Sequence, residues 1–292
     1  MSSLIDNRLV ASLAERKGLA PFVMAGDGGL DTTLELLKAC EDSGAVVVEL
    51  GIPFSDPMAD GTILQASAQR ALDEGTNLDK ILETLAKFRS VSSLPVAIFS
   101  YANPVYSRGL EQTLASIRQA GADAIMVPDI PVEESEPLCK QAKSSGLCSI
   151  LFASPTTNDE RLAKIAARSR GFIYAIGRFG VTGSSTEIGP SLDHFIERVK
   201  KVAQTPVGVG FGLKDPEQVQ FVLERVSLAV VGSALNVSLR SHGSTEVGRG
   251  LCGPCRFPLM RSCRSVGWWV GSRGDLGVGQ VQLWAGGLQR AA

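Results

Sequence analysis

The sequence predicts a closed (β/α)8 barrel over residues 1–240, with an extra helix at its N-terminus and an atypical tail over 241–292. Three observations predict it. Eight short runs rich in Val, Ile and Phe recur along the first 240 residues. Each is apolar throughout rather than alternating, as strands buried on both faces are. Segments of helical periodicity separate them, and strict strand–helix alternation implies parallel strands with right-handed crossovers. An open doubly wound sheet is the alternative arrangement of the same elements.

The elements follow in order. Met1 to Gly18 carries Asp6, Arg8, Glu15, Arg16 and Lys17, which denies it the apolar core of a signal peptide. Leu4, Leu9 and Leu13 stand near helical spacing, so a short amphipathic helix is expected. The strands are read at Pro21–Ala25, Val46–Gly51, Leu94–Ser100, Asp123–Pro128, Cys148–Ala153, Gly171–Gly177, Pro206–Gly210 and Leu228–Gly232. Among the helices, Leu30, Leu34 and Leu37 form one stripe behind Asp31 as the expected N-cap. Leu78, Ile81, Leu82 and Leu85 form a second, and Leu192, Phe195, Ile196 and Val199 a third. Asp42-Ser43-Gly44, Gln119-Ala120-Gly121 and Ser144-Ser145-Gly146 each read as a helix stop with a left-handed glycine.

Composition sets the class. Hydrophobic residues make up 44% and charged residues 20% of 292, with a formal charge of −1. That balance carries no electrostatic footprint for nucleic acid or anionic lipid, and no apolar run approaches the ~18 residues that span a bilayer. A cytosolic enzyme with reduced cysteines is the expectation.

The tail departs from this average. From Ser241 onward there are six Arg, no Lys, one Asp and one Glu, with all three Trp and three of the six Cys. A change of reading frame, or unrelated sequence joined on, produces such a break. Cys252-Gly-Pro-Cys255 has the spacing of a thioredoxin motif, but Pro258 and nearby glycines deny it the flanking strand and helix. With Cys263 as a third ligand, a zinc site would want a fourth at regular spacing, and only His242 stands near, so the cysteine pair reads as a chance occurrence.

Chemistry is sought at the C-terminal ends of the strands. The second strand places Glu49 among Val46, Val47, Val48 and Leu50. A carboxylate there is costly to bury ionised, and it either raises its pKa or finds a partner. A structural ion pair or a cross-strand hydrogen bond is the bland alternative to a catalytic role. Asp60, in Ala59-Asp60-Gly61, fits an ordinary turn as well as a site. Gly210-Phe211-Gly212 and Gly232-Ser233 end strands 7 and 8, where glycine backbone, a hydroxyl and a helix dipole suit a phosphate. Gly177–Ser185, after strand 6, has the length and composition of either a connection or a closing lid.

The run from Glu49 to Gly61, Glu-Leu-Gly-Ile-Pro-Phe-Ser-Asp-Pro-Met-Ala-Asp-Gly, resembles the signature of the tryptophan synthase α subunit family. The resemblance extends from about Pro21 to Leu235 through Tyr101-Ala-Asn-Pro104, Pro128–Ser135, Gly180-Val-Thr-Gly183, Gly210-Phe-Gly212 and Gly232-Ser-Ala234. It implies an enzyme that cleaves indole-3-glycerol phosphate to indole and glyceraldehyde 3-phosphate, with no cofactor or metal of its own. Carried over by position, it implies acid–base catalysis by Glu49 and Asp60. It places Phe22 in an indole pocket and Tyr174 close to Glu49, with Gly183, Gly212, Gly232 and Ser233 on the phosphate. It makes Thr182 the lid residue that meets the aspartate on closure. A pyridoxal-phosphate β subunit is the implied partner, in an α2β2 complex, met by Pro53, Asp56, Asn103, Pro104, Asp129 and Pro131 within the stretches 53–56, 103–108 and 129–131. A standalone indole-releasing lyase and an impaired subunit that only activates β are the rival readings.

Two departures stand out. Thr62-Ile63-Leu64-Gln65 replaces the family's Pro-x-Ile-Gln beside Asp60. Beyond Asn236 the family's final helix is replaced by the Gly/Arg/Cys/Trp-rich tail, which predicts exposed barrel wall, lowered stability and some aggregation.

Overall fold

The computed structural model describes residues 7–177, 190–210, 212–213, 216–233 and 235–236. The tail from Ser241, with Cys252 and Cys255, lies outside the described residues, as do Leu4, Thr182 and Gly183.

Eight parallel strands close into a barrel in sequence order, and β8 pairs back onto β1. They are β1 (Gly18–Met24), β2 (Val48–Gly51), β3 (Val96–Phe99), β4 (Ala124–Met126), β5 (Cys148–Ala153), β6 (Ile173–Ile176), β7 (Val207–Gly210) and β8 (Leu228–Val231). The open-sheet alternative is excluded by the closing pairs Gly18↔Leu228 through Pro21↔Val231. Those same pairs explain why β1 starts at Gly18 rather than Pro21.

Both faces of each strand are buried, and alternate residues serve different layers. Ala20, Phe22 and Met24 of β1 join Ala97, Phe99, Ala124 and Met126 inside the barrel. Val23 and Ala25, which face outward, pack with Leu36, Leu37 and Cys40 of α2 (Leu30–Asp42). A run with two apolar faces loses the period of two, which is why the strands read as unbroken apolar segments.

Helix α1 (Arg8–Glu15) closes the N-terminal end of the barrel, burying Leu9 and Leu13. Its cap, Asn7, accepts from the Leu9 N–H at 3.0 Å and donates to the Asp123 carbonyl at 2.8 Å. The Asp123 carboxylate accepts the Val96 N–H at 3.0 Å and meets Arg8 at 3.0 Å, Arg89 at 3.6 Å and Arg118 at 3.7 Å. This knot joins β3 and β4 to α1, to α4 (Leu78–Arg89) and to the helix Leu110–Gln119, at the end of the barrel away from the strand C-termini.

One expected cap is different. Helix α2 is capped by Gly29 at φ 95°, whose carbonyl takes the Thr33 N–H at 3.1 Å. Asp31 falls in the first turn instead, where its charge favours the helix dipole. The glycine stops are as expected, with Gly44, Gly121 and Gly146 all at positive φ.

Candidate active site

Glu49 occupies the barrel lumen because strand parity puts it there. Its register partners are Phe22 on β1 and Ala97 on β3, both lumen residues. The side chain is 1% exposed, and Oε1 has no hydrogen-bond partner among the described residues. Desolvation by the surrounding apolar side chains pushes its pKa well above the ordinary carboxylate range. The cross-strand ion pair that would have made Glu49 purely structural does not occur among the described residues.

Asp60 ends a turn in which its N–H reaches the Pro57 carbonyl at 3.0 Å, ahead of α3 (Thr62–Asp73). Partial burial pushes its pKa up to about 6, opposed by a hydrogen bond from the Tyr101 hydroxyl. That hydroxyl in turn accepts the Ala59 N–H at 3.2 Å. Tyr101 is fully buried against Phe54, with ring centroids 5.4 Å apart. It therefore fixes both the turn and the carboxylate at its end.

Tyr174, on β6, completes the group. The charges of both Glu49 and Asp60 hold its phenol above the usual range, after burial itself. Gly210 on β7 makes room for it, since a Cβ there would collide with the Tyr174 hydroxyl. Gly51 does the same for Phe22, whose Cζ lies 2.5 Å from where a Cβ would stand.

An aromatic wall runs across the mouth. Phe22 meets Phe99 edge-on at 5.6 Å, Phe99 meets Phe152 edge-on at 6.1 Å, and Phe152 lies 5.0 Å from Tyr174. Offset and edge-on contacts of this kind hold rings rigidly in place. Phe99 and Phe152 were not singled out by sequence reasoning. Lumen parity on β3 and β5 was the signal that could have found them.

At the ends of β7 and β8, Gly212 is exposed at φ 87°, and Gly232 precedes exposed Ser233 at the start of a helical turn. A Cβ on Gly232 would stand 3.5 Å from Phe22 Cβ and 3.8 Å from Leu64 Cδ1. The glycine turn thus borders the aromatic pocket directly. Leu64 enters the mouth from the stretch where this chain departs from the family pattern.

The expected partner-facing residues come from the loops after β2, β3 and β4. Asp56, Asn103 and Pro131 are exposed, Pro104 and Asp129 half-buried, and Pro53 buried. Asp129 also has an internal task. Its carboxylate takes the Ala102 N–H at 2.9 and 3.1 Å, capping α5 (Ala102–Tyr106).

A closed parallel barrel with two carboxylates of unequal proton affinity at its C-terminal mouth is a (β/α)8-barrel enzyme equipped for acid–base chemistry. The chain belongs to the tryptophan synthase alpha chain family. That family's model matches residues 10–247. The tryptophan synthase alpha chain of Acaryochloris marina is 42% identical over 231 residues, covering 79% of this chain and 86% of the relative. That of Prochlorococcus marinus is 44% identical over 233 residues, covering 79% and 85%. Among solved structures, the tryptophan synthase subunit alpha of Legionella pneumophila superposes with a TM-score of 0.79 at 30% identity, covering 89% of this chain and 99% of that one. A chain from the tryptophan synthase α2β2 complex of Pyrococcus furiosus gives 0.76 at 33% identity, covering 84% and 98%.

Proposed function

We propose that Glu49 and Asp60 carry the reaction of this alpha chain, the lyase cleavage of indole-3-glycerol phosphate to indole and glyceraldehyde 3-phosphate. The carrying observation is the buried Glu49 carboxyl, unpaired at Oε1 among the described residues and facing an aromatic pocket with Asp60 at its rim. Glu49, kept protonated by its surroundings, gives its proton to indole C3, which leaves a cationic ring nitrogen. Asp60, ionised at neutral pH, accepts a hydrogen bond from that N–H and stabilises its charge. The Glu49 carboxylate then takes the proton of the adjacent side-chain hydroxyl. The electron pair of the C–C bond returns to the ring, and an aldehyde and neutral indole separate. Phe22 and Tyr174 line the indole pocket, and the peptides of Gly212, Gly232 and Ser233 receive the phosphate.

A β subunit is the partner, as in the α2β2 assembly of the Pyrococcus furiosus relative, and it consumes the indole. The rim formed by Asp56, Asn103, Pro104, Asp129 and Pro131, with Pro53 behind it, is the surface we assign to it. Residues 1–240 form the catalytic unit on this reading and 241–292 a separate tail, and the family match over residues 10–247 ends shortly beyond that boundary. A cytoplasmic site of action belongs to this reading, as for a soluble biosynthetic enzyme family. Among the described residues no helix is long and apolar enough to cross a membrane.

The test is indole release by the purified chain, with and without a β subunit. Cleavage that rises on adding β supports the proposal. Full activity alone identifies a standalone lyase, and activation of β without cleavage identifies an impaired subunit.

A further inference from the structure

A partly buried polar chain links the turn after β1, helix α3 and the turn after β8. Asp27 lies in the turn after β1, and Arg70 grips it with a fork, Nε to Oδ1 at 2.7 Å and one terminal nitrogen to Oδ2 at 2.6 Å. Arg70 and Ser67 are one turn apart on α3, the helix that follows Asp60. The Ser67 hydroxyl, fully buried, offers its one proton to Asp27 Oδ2 and to Asn236 Oδ1, the latter at 3.3 Å. Asn236 is 2% exposed, and both its backbone N–H and its side-chain amide donate to the Gly232 carbonyl at 3.1 Å.

The last contact sets a direction. A trans peptide points its N–H opposite to its C=O, so a carbonyl held by two donors also aims the following N–H. The peptide in question is Gly232–Ser233, the one assigned above to the phosphate. We infer that Asn236 is a positioning residue: held by Ser67 and the Asp27–Arg70 pair, it fixes the Gly232–Ser233 peptide so that the Ser233 N–H faces the substrate phosphate. The same chain ties that peptide to the helix carrying the Asp60 turn. The network therefore acts on phosphate binding rather than on the proton transfers. It rests on the phosphate reading of the Gly232–Ser233 turn.

The experiment uses the full chain with its β subunit. It compares Ser67→Ala and Asn236→Ala with wild type for KM, kcat, melting temperature and inhibition by inorganic phosphate. One lost hydrogen bond is expected to raise KM and weaken phosphate inhibition together by about five- to tenfold. kcat should stay within about twofold, because the chemistry is untouched. The double variant should be no worse than the weaker single one, since both act through one chain of contacts. Wild-type KM and phosphate inhibition in both variants overturn the inference, as does a joint fall of kcat and melting temperature with no change in KM. Ser233→Asp, which puts a like charge in the turn, separates the two levels. If it leaves phosphate inhibition intact, the phosphate reading itself fails. If it abolishes inhibition while Ser67→Ala and Asn236→Ala behave as wild type, the network alone fails.

Discussion

Phe22 and Glu49 are register partners on β1 and β2, and the Phe22 ring lies over the backbone of Gly51, two residues beyond Glu49 on the same face. The acid and the pocket wall are therefore positioned by one pair of strands. Gly51→Ala drives a methyl into a ring already braced by Phe99. We expect a loss of about 1–3 kcal/mol in urea unfolding and a raised KM. Adding Phe22→Leu should return most of the stability; failure to do so would place the strain elsewhere.

Glu49→Gln keeps the shape and removes the proton. Turnover should fall at least 10²-fold to roughly 10⁴-fold, while substrate affinity stays near wild type. Stability should move the other way. The folded protein holds the Glu49 proton more tightly than the unfolded chain, so its contribution is full at low pH and is lost as pH rises toward the folded pKa. The variant escapes that loss. Urea unfolding at pH 5 and pH 8 should show its advantage growing with pH.

Asp60 sets the acid limb of the rate profile. Its charge is lost as pH falls through about 6, so kcat/KM should decline there. Asp60→Asn should be slow at every pH and lack that limb. A limb that survives the substitution belongs to another group. Tyr101→Phe removes the bond that favours the anion, so the limb should move to higher pH.

Asp129→Ala removes the cap of α5 and should cost about 0.5–2 kcal/mol of stability. Because α5 carries Asn103 and Pro104, titration with the β subunit should also show weaker association. Asp129→Asn keeps an acceptor and should fall between the two. Unchanged β affinity in Asp129→Ala would remove this loop from the assigned surface.

The barrel was legible because parallel strands with two buried faces read as apolar runs, and glycine stops such as Gly44 and Gly146 punctuate the helices. Glu49 was legible for the same reason, as the charge in the middle of such a run, whereas Asp123 stands at the start of another. Asp60 was not, because its setting depends on Tyr101, which the pairing of β2 with β3 brings from 41 residues away. Only the family resemblance picked it out. The Gly29 cap was missed because a side-chain acid at Asp31 mimics a capping residue, whereas a positive-φ glycine is silent until its backbone is seen. The Asp27–Asn236 chain draws on three separate elements, so no local pattern announces it.

The seclusion of Glu49 has a kinetic meaning. On the proposed route the proton it gives to carbon is replaced, within the same turnover, by one from the substrate's own hydroxyl. The acid is thus recharged by the molecule it cleaves and needs no relay of water to the outside. A carboxyl walled in by Phe22, Ala97 and Leu50's strand would be a dead end for an enzyme that drew protons from bulk solvent. For a self-resetting one, the isolation keeps each cycle ready for the next.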